Sequence, residues 1–216
     1  MRFVPAQDGY TSSANLHTSF ANLPDLTAGF FPQEERRYAF LKFDLSNPLV
    51  FDGQEIAFTE LQLSLSDYNW NGSNFLVYSN LTSTQGTWTE STLNYESQPA
   101  PVDAATPQAS MFPYSVFHGT HEAPSQNKIH VHLDLYHSVT KTILEQWVGV
   151  DMINDPQGLN LGLMIDFGAG TMTMASRETS EVTRIPELVI AFENGKLQQK
   201  NPLKTCHFWL LIFINH

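Results

Sequence analysis

Residues 37–46 read RYAFLKFDLS. Ala39, Leu41, Phe43 and Leu45 occupy one side of a two-residue repeat, and Tyr38, Phe40, Lys42 and Asp44 the other. Successive side chains of a strand point to opposite faces, so the stretch predicts a central strand with one deeply buried face. The second face mixes aromatic and charged residues and is expected to be at least partly wet.

The same grammar of short alternating runs and turn residues extends outward. Upstream, 3–10 reads as a first strand broken at Asp8-Gly9. Residues 11–32 are polar and turn-rich, with Pro24, Gly29 and Pro32 interrupting any regular element. Downstream, Asp52-Gly53 marks a turn, and 55–68 is the longest alternating segment, with Leu61, Leu63 and Leu65 on one side. NWNGSN (69–74) reads as a loop and 75–81 as a strand. Residues 97–124 are rich in Pro, Ala and Ser and predict a long loop with one short strand near 115–117. Ile129, Val131, Leu133 and Leu135 alternate with His130, His132, Asp134 and Tyr136. Over 138–148 the period changes. Val139, Ile143, Leu144 and Trp147 recur at helical spacing behind a candidate N-cap, Ser138, so one short helix is expected to pack on the sheets. Strands are expected at 159–167, 171–176 and 187–192. Eight or more short strands with one helix predict an all-β protein, a jelly-roll β-sandwich with one short helix.

Composition narrows the partners. A chain of 216 residues, 42% hydrophobic and with 15 Phe, fits one large β domain with a substantial core. All 22 acidic residues precede residue 194, against 8 Lys and Arg there. An acidic surface argues against nucleic acid and other polyanions, and is compatible with calcium or neutral sugars. Cys206 is the single cysteine, so no internal disulfide forms. MRFVPAQDGY lacks the apolar region of a secretory signal, which leaves an intracellular chain or a piece of a longer exported protein. Low charge and many hydroxyls and amides favour the second, and hence an extracellular or cell-surface setting. Residues 194–216 read as a linker and a short apolar tail outside a domain spanning 1–193. The run 208–214 is far below membrane-spanning length, so no membrane partner is expected. No feature specifies an oligomeric state. Two sequons, at Asn71 and Asn80, would matter in a eukaryotic secretory route alone.

Six blocks now stand in order: RYAFLKFDLS (37–46), ELQLSLSDY (60–68), TWTESTLNYESQP (87–99), LDLYHSVTKTILEQW (133–147), GLNLGLMI (158–165) and ASRETSEVTRIPELVIAF (175–192). Together they resemble the DNRLRE domain family, a jelly-roll module related to carbohydrate-binding modules. The resemblance implies a non-catalytic module, of a kind attached to polysaccharide lyases, glycoside hydrolases or large cell-surface proteins. Some relatives are similar to alginate-binding modules. This chain departs from the family in its long loop over 100–127. It also departs in Asp134, which stands one position before the family's usual acidic residue.

Several residues are candidates for binding. Trp70, flanked by Tyr68 in a loop between strands, can stack on a sugar ring. Its competing role is to close one end of the core. The resemblance implies that Trp88 and Trp147 are core, since both sit in blocks that recur as packing elements in the family. Arg36, Arg37 and Lys42 are the densest basic cluster before the tail, and a polyuronate site would need such cations in pairs. The odd spacing of Arg37 and Lys42 separates them onto opposite strand faces, and ordinary ion pairs with Glu34, Glu35 or Glu178 are the favoured role. His130 and His132 form an HxH pair, with His118 and His121 upstream. Parallel imidazoles at i and i+2 suit a transition metal, although spacing supplies no third ligand. The acidic and Asn-bearing turns at Asp151, Asn154 and Asp155 are compatible with a structural calcium, but no EF-hand spacing is present and such turns are more often plain turns. No G-x-S-x-G, P-loop, H-E-x-x-H or G-x-G-x-x-G is present. With no such motif present, the resemblance implies a non-catalytic module that binds polysaccharide. The alternatives are a structural or adhesive sandwich without a sugar site and a small His-dependent metal enzyme.

Overall fold

The computed structural model describes residues 1–47, 56–69, 75–102, 109–111, 128–132, 144–150, 155, 157–168 and 170–192, and the backbone alone at 58, 109–111 and 128–132. Among them are thirteen strands: β1 (Arg2–Phe3), β2 (Pro5–Ser12), β3 (Asp25–Phe31), β4 (Glu35–Phe43), β5 (Ile56–Asn69), β6 (Phe75–Tyr78), β7 (Leu81–Thr82), β8 (Ala100–Pro101), β9 (Ala109–Met111), β10 (Lys128–His132), β11 (Leu163–Phe167), β12 (Thr171–Ala175) and β13 (Glu187–Phe192).

The alternating stretch is central, as its pattern predicts. Ala39 pairs with Tyr10 of β2 and with Ile165 of β11, so β4 has neighbours along both edges. β3 takes over the β11 edge at Arg36 and Arg37. From β11 the sheet continues through β6 to β9, and from β3 through β12 to the second half of β5. The first half of β5 lies between β13 and β10, where Leu61 meets both Leu188 and Val131. One 14-residue strand thus belongs to two sheets. A register shift between Thr173 and Met174, against the middle of β5, falls where the strand passes from one sheet to the other. Such irregularities bend and twist a strand, which folds the array over on itself. The result is an all-β sandwich.

Leu41, Phe43, Leu61, Leu63, Ile165, Phe167, Met172, Met174, Leu188 and Ile190 fill the main core. The expected helix is present over 144–147 among the described residues, and Leu144 and Trp147 enter that core. Gly149 donates to the carbonyl of Leu45, which ties the helix exit to the chain leaving β4.

Four expectations change. β2 runs unbroken through Asp8-Gly9, because Gly9 lies under Leu93, where a Cβ would come 3.3 Å from that side chain. β3 occupies a stretch expected to be irregular. Leu26 and Ala28 alternate into the core, and Gly29 is no breaker. At φ 117° its missing Cβ would stand 2.1 Å from the Gly170 carbonyl oxygen. The third correction concerns β4. Phe40 and Lys42 are fully buried instead of partly wet. The segment carrying TWTESTLN lies over this face and builds a second cluster of Phe40, Tyr78, Trp88, Leu93, Leu161 and Met164. Its chain has no period to read, but Trp88 fixes it, donating from Nε1 to the Leu161 carbonyl at 2.8 Å. The expected strand near 115–117 lies outside the described residues, while β8 and β9 occupy part of the stretch expected to be loop.

Candidate functional site

The face of β4 turned away from the main core has a covered half and a half-open one. At the covered end, pairing aligns Gly9, Phe40, Met164 and Tyr78 across four strands. One rung further, Thr11 pairs with Tyr38, and Asp166 with Leu76. Here the covering segment leaves the sheet partly accessible: Arg36, Tyr38, Leu76 and Tyr95 are half-buried.

Tyr95 comes from the covering segment and stacks on Tyr38, with ring centroids 6.2 Å apart and planes 21° from parallel. Two contacts hold this part of the segment down. Thr11 Oγ1 donates to Gln98 Oε1, and the Glu96 amide donates to the Leu16 carbonyl at 3.1 Å. Arg36 also packs against Tyr38, its guanidinium carbon 5.5 Å from the ring centroid. Arg36 donates through Nη2 to Asp166 Oδ1 and through Nη1 to the Gly168 carbonyl. Burial pushes the Asp166 carboxyl above its ordinary range, and the Arg36 charge and hydrogen bond work against that rise. Burial also raises the Tyr38 phenol. A flat aromatic pair beside a charged hydrogen-bonding pair can take the apolar C–H face of a pyranose and bond its hydroxyls at the rim.

The candidates from sequence are dispersed. Arg36 belongs to this face. Arg37 does not: Glu35 holds it at 2.7 and 3.0 Å, and its guanidinium carbon lies 4.1 Å from the Phe31 ring centroid and 5.5 Å from that of Tyr10. Lys42 is no surface cation, since burial removes it from solvent. Its Nζ donates to Thr87 Oγ1 and to the Trp88 carbonyl, each at 2.7 Å. The three basic residues therefore form no common patch. Tyr68 lies at the far end of β5 and is 45% exposed, while Trp70 lies outside the described residues. His118 and His121 also lie outside them. The backbone of β10 places His130 opposite Gln62 and His132 opposite Glu60.

Metal ligands are sparse among the described residues, which hold no group of three or more His, Cys, Asp or Glu side chains able to take an ion. Asp155 is buried and accepts from the Asn160 amide at 2.9 Å, the role of a turn-capping carboxylate. Asp151 and Asn154 lie outside the described residues. Trp88 and Trp147 are core, as expected.

Sequence reasoning missed Tyr95 and Asp166. Tyr95 sits in an aperiodic stretch. Asp166 had a usable signal, being the single charge inside the apolar run LGLMIDF, where a carboxylate requires a cation partner.

No curated protein matches the chain. The model of carbohydrate-binding module family 96 matches residues 1–118, more than half of the chain. That span includes Arg36, Tyr38, the covering segment and Tyr95. An all-β sandwich with a half-open aromatic face, matched over this span, belongs to carbohydrate-binding module family 96.

Proposed function

We propose that residues 1–193 form a non-catalytic module of the DNRLRE type that binds polysaccharide on the Tyr38–Tyr95 face. In this reading the module serves a larger extracellular or cell-surface protein, and 194–216 lie outside the domain. The observation that carries the reading is the stacked, half-buried Tyr38–Tyr95 pair, flanked by the Arg36–Asp166 ion pair on one sheet face. A face built for structure alone would be expected to close over these rings, as it does over Phe40 and Trp88 a few residues away.

Affinity electrophoresis against a panel of soluble polysaccharides tests the proposal. Tyr95→Ala is expected to weaken binding about 30-fold, as for a central aromatic anchor worth about 2 kcal/mol. Tyr68 supports a second reading, since its exposure at the end of β5 offers another stacking surface. Binding unchanged in Tyr95→Ala but lost in Tyr68→Ala would move the site there. Retardation by no polysaccharide would favour the structural or adhesive reading.

A further inference from the structure

We infer that Phe30 is a second stacking surface beside the Tyr38–Tyr95 pair, so that this face reads at least two successive sugar rings of one chain. The inference rests on this face being the carbohydrate site. Pairing places Phe30 of β3 directly opposite Arg36 of β4. Residues opposite one another in an antiparallel pair carry their side chains on the same face. Arg36 shares its face with Tyr38, two residues along β4, and packs against that ring. Phe30 therefore stands on the half-open face, one strand over and diagonal to Tyr38. Simple alternation along β3 does not put it there. Leu26 and Ala28 enter the main core, and a regular strand would send Phe30 after them. Gly29, at φ 117°, breaks that pattern where β3 passes from one neighbour to the next, since it pairs with both Thr171 of β12 and Arg37 of β4. Just beyond it, Phe30 is 44% exposed and belongs to neither apolar cluster.

A lone exposed phenylalanine is ordinary on a protein surface. This one extends a face that already carries two half-buried tyrosines and an ion pair. Its backbone is fixed as well. The Phe30 amide donates to the Gly170 carbonyl at 2.8 Å. Opposite it, the Arg36 amide donates to Ser13 Oγ at 2.7 Å, and the Ser13 amide donates to the Arg36 carbonyl at 2.9 Å. A ring on backbone held this way costs little to order when a ligand arrives. Diagonal neighbours on a sheet face stand roughly 7–8 Å apart. That is too far for one pyranose to lie flat on both Phe30 and Tyr38, and within reach of adjoining rings of the same chain. Arg36 is the neighbour of both surfaces, opposite Phe30 and packed against Tyr38. A chain laid from one to the other therefore passes the Arg36–Asp166 pair, which can bond its polar groups along the way.

The test begins with affinity electrophoresis of the full chain in gels containing hydroxyethylcellulose, laminarin, galactomannan or alginate. Calorimetric titration follows, with cello-, laminari-, manno- or mannurono-oligosaccharides of increasing length, matched to the polymer that retards the chain. Affinity is expected to rise about tenfold from the disaccharide to the tetrasaccharide. Phe30→Ala is expected to remove most of that gain, with an unchanged melting temperature. Phe30→Leu keeps the apolar bulk without a flat ring and is expected to bind as weakly as the alanine variant, while Phe30→Tyr matches the parent. Phe30→Ala and Phe30→Leu binding every length as the parent does, with Tyr95→Ala losing affinity, would overturn the inference and leave the carbohydrate site standing. A disaccharide bound as tightly as the longer chains would do the same. Retardation by none of the polymers, or retardation unaffected by Tyr95→Ala, would overturn the site itself, and the inference with it.

Discussion

The ammonium of Lys42 lies 4.5 Å from the centroid of the Trp88 ring, inside the protein. Two residues separated by 46 positions thereby join the central strand to the segment that covers it. The lysine satisfies the Trp88 carbonyl and the Thr87 hydroxyl, and the tryptophan supplies the apolar body of the second cluster.

Removing this buried lysine is expected to be costly in proportion to the volume lost. Lys42→Ala leaves both a cavity and an unmet carbonyl, and should destabilise the domain by about 3 kcal/mol. Lys42→Met keeps the stem, loses a buried charge and should cost about 1 kcal/mol. Urea denaturation followed by tryptophan fluorescence separates the two. Equal losses would mean that the hydrogen bonds, and not the packing, hold the segment.

Trp88→Phe deletes the bond to the Leu161 carbonyl while keeping an aromatic ring. A loss of about 1–2 kcal/mol is expected. Tyr95 is carried by the same segment, so carbohydrate affinity should fall with stability although residue 88 is buried. Unchanged affinity would show that the Thr11 and Leu16 contacts position Tyr95 unaided.

Asp8 gives the protein a pH dependence with a definite sign. Its carboxyl is raised to about 7, first by burial and then by Glu90 and Glu178, with the Arg177 amide bond and charge opposing. The unfolded carboxyl titrates near ~3.9. Between these values the folded state holds the extra proton, so stability falls as pH rises from about 4 to 7 and then levels off. Asp8→Asn keeps an acceptor for the Arg177 amide and removes the titration. It is expected to be more stable than the parent at pH 8 and to flatten the profile. A parent profile flat from pH 4 to 7 would contradict this.

Arg36→Ala leaves Asp166 buried without its cation and should cost about 3–5 kcal/mol, since half of a buried pair is worse than none. Replacing both residues with leucine and methionine should recover most of that loss. Thermal melts of the single and double variants measure the coupling.

Gly29→Ala should be among the most damaging single changes. It combines positive φ with a Cβ placed 2.1 Å from a backbone oxygen, so a loss of at least about 3 kcal/mol is expected. Soluble yield and melting temperature report it. A variant as stable as the parent would mean that β3 and the Gly170 turn can separate without cost.

Much of the strand framework was legible. The runs at 37–45, 55–68 and 187–192 alternate cleanly because one face of each is buried and a one-residue slip would invert it. β3 was hidden by Pro24 and Gly29, which look like punctuation. Gly29 is there for close backbone approach, a constraint set by a residue 141 positions later. For the candidate site, the pattern placed Tyr38, Phe40, Lys42 and Asp44 on one face but did not show that part of this face is covered.

By itself, then, the sequence determined an all-β sandwich and a buried Ala39–Leu41–Phe43–Leu45 face, and the family resemblance implied the core roles of Trp88 and Trp147. Tertiary structure alone decided that Lys42 is interior, that Arg36 is bound to Asp166, and that Tyr95 comes to rest on Tyr38. The physical reason is that alternation is a local property of one strand and reports which side chains share a face. What covers that face depends on aperiodic chain brought from far along the sequence, held by single bonds such as Trp88 to Leu161 that leave no periodic trace.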